Sequence, residues 1–196
     1  MKNHKYCHRW YKAKDRKAVR LKRKAIRNQR KVNNDMEYIH YGSSRFDPLL
    51  VMDQSKTNMA SINKPNAGLW ASPVNSDWGW KDWCESEQFY KNDFSKYFVF
   101  KLKPNAKILT IRSLKDWNLV LNEILDASLQ DSLFLDMNID KRNAIWDYIS
   151  KSYDAILVIM SDHYGSMHMS FEFNSWDCDS IVVFNPEVVN IVRHSA

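Results

Sequence analysis

Gly68-Leu69-Trp70-Ala71-Ser72-Pro73, followed at once by Val74-Asn75-Ser76-Asp77-Trp78-Gly79-Trp80-Lys81-Asp82-Trp83-Cys84, holds two of the chain's four glycines and four of its eight tryptophans. Residues 68–71 read as a strand, 72–77 as a turn and 80–90 as a short helix. A chain this poor in glycine spends it where a side chain is not tolerated, either for a positive φ or for close backbone approach. Indole rings clustered beside glycines suggest a wall against which a flat ring can stack. A third glycine lies in His40-Tyr41-Gly42-Ser43, at the end of a short strand over residues 37–41. Alternation on that strand puts Tyr38 and His40 on one face and Ile39 and Tyr41 on the other.

Working outward, Tyr97-Phe98-Val99-Phe100-Lys101-Leu102-Lys103 and Lys107-Ile108-Leu109-Thr110-Ile111 read as two paired strands around a Pro104-Asn105 turn. Ser113 and Asp116 form a capping-box-like start to a helix with Leu114, Trp117, Leu121, Ile124 and Leu125 at helical spacing. A second helix, near residues 140–151, carries Ile145, Trp146 and Ile149 as a core stripe. Ala155-Ile156-Leu157-Val158-Ile159 and Ile181-Val182-Val183-Phe184 are buried strands, and residues 188–192 supply the last one. Residues 44–67 and 161–177 are polar loops. Helices grouped within a strand-rich chain give an α+β class.

The 196 residues are 44% hydrophobic, enough for one domain with an appendage. Net charge is divided along the chain. Residues 1–35 hold fourteen Lys/Arg and two Asp, net +12; residues 36–196 hold fifteen Lys/Arg and twenty-one Asp/Glu, net −6. We read residues 1–35 as a basic helical arm or disordered tail and 36–196 as the folded domain. Arg9, Lys12, Arg16, Arg20, Arg23 and Arg27 are the arm's candidates for phosphate contact, which makes nucleic acid one expected partner and an acidic protein another. A plain solvated helix is the bland alternative. His4, Cys7 and His8 could share a helical face, but a segment this basic repels a cation, so no metal is expected. Cys7, Cys84 and Cys178 are odd in number and form no CxxC pair, which fits free thiols in a reducing cytoplasm. No apolar run is long enough to cross a membrane.

Taken in order, four segments resemble the catalytic domain of ADP-ribosyltransferases, including the poly(ADP-ribose) polymerase branch and small bacterial or phage toxin-like members. His40-Tyr41-Gly42-Ser43 is similar to the family's opening strand, with Tyr41 intervening between the His and the Gly. Gly68-Leu69-Trp70-Ala71-Ser72 resembles its Gly-x-Tyr-x-Ala/Ser strand, with Trp80 or Trp83 near the second aromatic place. The strand pair 97–111 is the third segment. Asp177-Cys178-Asp179-Ser180-Ile181-Val182-Val183 resembles the terminal strand, where the family has a Glu before an apolar run; Asp179 or Ser180 stands there instead.

The resemblance implies split antiparallel sheets with flanking helices, NAD as cofactor, and transfer of ADP-ribose to a macromolecular acceptor. It implies that His40 or Tyr41 holds a ribose, that Gly42 and Ser43 hold the nicotinamide amide, and that Trp70, Ser72, Trp80 and Trp83 line the ring site. Asp179 would stabilise the positive charge that builds on the ribose carbon as the nicotinamide bond breaks. The competing expectation is a non-catalytic nucleic-acid- or particle-associated binding protein on the same fold, with the missing Glu as its mark.

Overall fold

The computed structural model describes residues 35–48, 64–65, 67–89, 93–124, 139–162, 165, 167 and 173–196, the side chains of 123–124 and 139–144 excepted. Chain contacts divide the protein into Met1–Asp35 and Met36–Ala196. The basic arm, with Arg9, Lys12, Arg16, Arg20, Arg23, Arg27, His4, Cys7 and His8, lies outside the described residues, as do all of residues 49–63.

The β-branched and aromatic runs fold as strands β1 (Glu37–Tyr41), β2 (Leu69–Pro73), β3 (Tyr97–Leu102), β4 (Ile108–Ile111), β5 (Ala155–Val158), β6 (Ser180–Val183) and β7 (Val189–His194). The helices are α1 (Trp80–Ser86), α2 (Leu114–Ile124) and α3 (Ile139–Ser152), and a 3-10 turn, Pro186–Val188, precedes β7. This is a mixed α+β domain. The strands form one sheet in the order β4-β5-β6-β2-β1-β3-β7. Only β4 and β5 run parallel; the other neighbours are antiparallel.

The sheet has a weak seam. β1 and β3 pair over five residues, but the β1/β2 ladder has two pairs, Tyr38↔Pro73 and Ile39↔Ser72, extended by the Val74 N–H donating to Glu37 O at 2.9 Å. Two apolar cores lie on opposite faces. Ile156, Val158 and Val182 join Trp117, Trp146, Phe173 and Trp176 under α2 and α3. Ala155, Leu157, Ile181 and Val183 join Tyr38, Phe98 and Phe100 on the other face. Burial on both faces is why residues 155–158 and 181–183 read as unbroken apolar runs.

The expected pairing of residues 97–103 with 107–111 is not found. β3 lies between β1 and β7, while β4 pairs with β5 from Ile108↔Ala155 to Ile111↔Val158. The Asp154 carboxylate accepts the Lys107 N–H at 2.7 Å and the Asn185 side-chain amide at 2.8 Å at the start of this pair. It thereby ties the start of β4 to the β5 end of the sheet. The helix expected over 80–90 stops at Ser86, and the chain turns through Gln88 at φ +54°. The cap expected from Ser113 and Asp116 forms, with one change of partner. Ser113 Oγ accepts the Asp116 N–H at 3.3 Å, while the Asp116 carboxylate reaches the N–H of Arg112 at 3.0 Å. No helix among the described residues is long and apolar enough to cross a membrane.

Candidate functional site

β2 and α1 are joined by a side chain. Ser72 Oγ accepts the N–H of Trp80, the first residue of α1, at 2.9 Å. That N–H has no partner within its own helix, so Ser72 caps α1 from the neighbouring strand. The Asp82 carboxylate accepts the Gly79 N–H at 2.9 Å and closes the same turn. A Cβ on Gly79 would stand 3.3 Å from Ser72 Cβ, so glycine lets the helix begin this close to the strand. Trp80 is thereby fixed beside β2. Trp83 stacks on one face of it at 5.0 Å and 20°, and Phe89 meets it edge-on at 5.9 Å.

His40 bridges the seam from β1. Its Nδ1 lies 2.7 Å from the Trp70 carbonyl oxygen. A carbonyl only accepts, so Nδ1 carries the proton and Nε2 of the neutral ring is the acceptor. Burial pushes the His40 pKa below its ordinary value, partly offset by the bond to Trp70. The ring is therefore neutral at pH 7. Its stability consequence has a definite sign. Below pH 6.5 the unfolded chain takes a proton that the folded ring resists, so His40 costs stability as pH falls from 6.5 toward its lower folded value. Urea midpoints at pH 7.5 and 5.0 should fall further for the native chain than for His40→Gln; an equal fall in both would show that His40 does not titrate this way.

These contacts frame a cavity of about 280 Å³. His40, Tyr41, Trp70, Ser72 and Trp80, all singled out from the sequence, line it together. Ser180, the alternative to Asp179 in the sequence, lines it too, and Ile39, Ala71 and Lys64 are the other described lining residues. Trp70 is only partly available, because its ring packs on Trp176 at 5.1 Å and under the Lys64 ammonium at 5.6 Å. Trp80, backed on one face by Trp83, has the other face free of that stack.

Three expected residues are not in the lining. Gly42 forms the turn after β1 at φ +99°, its N–H donating to Lys96 O at 2.8 Å. The Ser43 hydroxyl donates to Arg45 O at 2.8 Å in a local turn. Trp83 stands behind Trp80.

Asp179 is also outside the lining, and its side chain has another set of partners. It is 2% exposed. One oxygen accepts the backbone N–H groups of Met160 at 2.7 Å and Ser161 at 2.8 Å. The other accepts the hydroxyls of Ser76 at 2.7 Å and Ser161 at 2.8 Å. Asp179 thus clamps the β2–α1 turn, the segment after β5 and the start of β6. The lining residue at that end of β6 is Ser180, whose hydroxyl donates to Cys178 O at 3.1 Å. The described lining contains no carboxylate.

Lys64 gave no signal in the sequence, since it sits in a long polar loop with no motif around it. The Cys178 thiol is pushed up to about 11 by burial, and burial also raises Cys84. Neither is a thiolate nucleophile at neutral pH. Among the described residues no group of three or more His, Cys, Asp or Glu is placed to hold a metal. The second His-Tyr-Gly-Ser, at 163–166, lies outside the described residues apart from Gly165. No family model, curated protein or solved structure matches the chain.

Proposed function

We propose that the 36–196 domain is an ADP-ribosyltransferase-like module that binds NAD by its nicotinamide–ribose end and holds it without carboxylate-driven transfer. The observation that carries this reading is the convergence of His40, Tyr41, Ser72 and Trp80 on one cavity. Trp80 offers a π face to an electron-poor ring. His40 offers Nε2 as acceptor to a ribose hydroxyl. Ser72 keeps its hydroxyl hydrogen for an amide carbonyl, because its oxygen is the atom that meets Trp80 N–H. Ligand clefts run to roughly 300–1,000 Å³, so this smaller cavity suits a ring and sugar with the rest of the dinucleotide outside. The resemblance implies split sheets, whereas the strands form one sheet in which β1 and β2 share the shortest ladder.

Breaking the nicotinamide–ribose bond calls for negative charge near the ribose carbon. The described lining offers none, and both Asp179 oxygens already accept two hydrogen bonds each. Holding the ligand is therefore better supported than transferring from it. The net +12 of residues 1–35 supports nucleic acid or an acidic protein as the partner that positions the domain.

Calorimetric titration with NAD, run beside labelled NAD in cell lysate, tests the reading. Saturable binding is expected, weakened about 5- to 100-fold in Trp80→Ala by loss of the stacking wall. No label on protein or nucleic acid and no released nicotinamide are expected. Absence of binding sinks the proposal. Label that Trp80→Ala abolishes replaces it with transfer.

A further inference from the structure

Lys64 enters the lining from the segment before β2, and the resemblance assigns it no role. Its ammonium stands 3.8 Å from the Asp177 carboxylate, with the two side chains 25% and 26% exposed. That spacing is an ion pair beyond hydrogen-bond reach. The ammonium also stands over the Trp70 ring, 5.6 Å to the centroid. Asp177 and Trp70 therefore hold the charge at the cavity, and no hydrogen bond among the described residues uses its N–H donors. The lining around it is mostly aromatic and aliphatic, and Lys64 is its one cation among the described residues. A cation beside low-dielectric walls, with no anion in the described lining and Asp177 at 3.8 Å outside it, attracts a negative group.

We infer that Lys64 is the anion subsite of this cavity, and that its ligands are phosphorylated ring-and-sugar compounds rather than unphosphorylated nucleosides or free bases. The inference rests on the binding reading above and adds a charge requirement to it. Lys64 covers Trp70, so the ligand's ring goes to Trp80. The sugar then lies by His40, and the phosphate falls toward Lys64. A lysine suits this as a point charge on a flexible stem, which reaches a phosphate oxygen without the planar fit an arginine needs.

The test compares nicotinamide mononucleotide with nicotinamide riboside by calorimetry on the full chain, with the native residue, Lys64→Gln and Lys64→Arg. The readout is the affinity ratio of the two ligands, which isolates the phosphate from any general loss of binding. At low salt the native chain should favour the mononucleotide by about tenfold or more, as one charge-assisted contact provides. The preference should shrink as salt rises, collapse toward one in Lys64→Gln and persist in Lys64→Arg. Equal affinities in the native chain, or a preference that survives Lys64→Gln, overturn the subsite while leaving the cavity as a binding site. If neither compound binds the native chain, the binding reading falls and the subsite with it.

Discussion

Asp179→Ala should destabilise the 36–196 domain by about 2–6 kcal/mol, because it strands the backbone N–H groups of Met160 and Ser161 at about 1–3 kcal/mol each. For a domain of this size a melting point moves roughly 2–4 °C per kcal/mol, so thermal unfolding reads the loss easily. The informative variants are the conservative ones. In Asp179→Asn the amide oxygen can keep both backbone N–H groups. Its NH2 then faces Ser76 and Ser161, whose hydroxyls can rotate to accept instead of donate. That variant should lose only about 1 kcal/mol. Asp179→Glu adds a methylene at a position 2% exposed and should cost about 1–3 kcal/mol through overpacking. A residue acting on the ribose gives the reverse order: Glu, the family's own residue, would serve, and Asn would fail. Melting curves and label transfer on the same three variants separate a clamp from a catalyst. A stable Asp179→Ala would refute the clamp outright.

Asp179 also shows where the sequence stops being legible. The strands were readable because alternation and unbroken apolar runs are local signals, and the helices because Trp117, Leu121, Trp146 and Ile149 recur at helical spacing. His40, Trp70 and Trp80 could be grouped because an aromatic-and-glycine pattern in two short segments already suggested one site. Asp179 against Ser180 could not be decided. A one-residue change in where β6 begins exchanges the side chain facing the cavity with the one facing away. The two segments that supply Asp179's donors, the β2–α1 turn and the stretch after β5, are distant in sequence, so nothing local shows that its oxygens are occupied. β4 was misplaced for a related reason. Its partner, β5, begins next to Asp154, 47 residues from Lys107, and a Pro-Asn turn read locally favours a hairpin. Lys64 was invisible because a single cation in a polar loop has no pattern, and only the fold brings it beside Trp70.

The second large effect is expected at the junction that brings β2 to β6, and it arises from backbone geometry. Gly68 sits at φ +131°, outside the left-handed region that other residues can visit. A Cβ there would lie 2.3 Å from Val182 Cγ1 and 3.1 Å from the Val183 carbonyl oxygen. Gly68→Ala should therefore cost about 1–3 kcal/mol in backbone strain and about 1–3 kcal/mol more in forced repacking of the fully buried Val182. Gly42→Ala separates the two causes. Gly42 has φ +99° but nothing within 4 Å of the added Cβ, so only the strain component of about 1–3 kcal/mol applies. Val182→Ala removes the clashing methyl. Placed in the Gly68→Ala background it should cost less than it does alone, a coupling that strain by itself cannot produce. The functional consequence follows from the register, since Leu69↔Val183, Trp70↔Val182 and Ala71↔Ile181 seat β2 on β6. Pushing the strands apart at Gly68 moves Trp70 and Ser72 away from Ser180 and opens the cavity. Gly68→Ala should thus lose ligand binding even where it remains folded, whereas Gly42→Ala should keep it. Equal binding in the two variants would mean that the cavity does not depend on the β2–β6 contact.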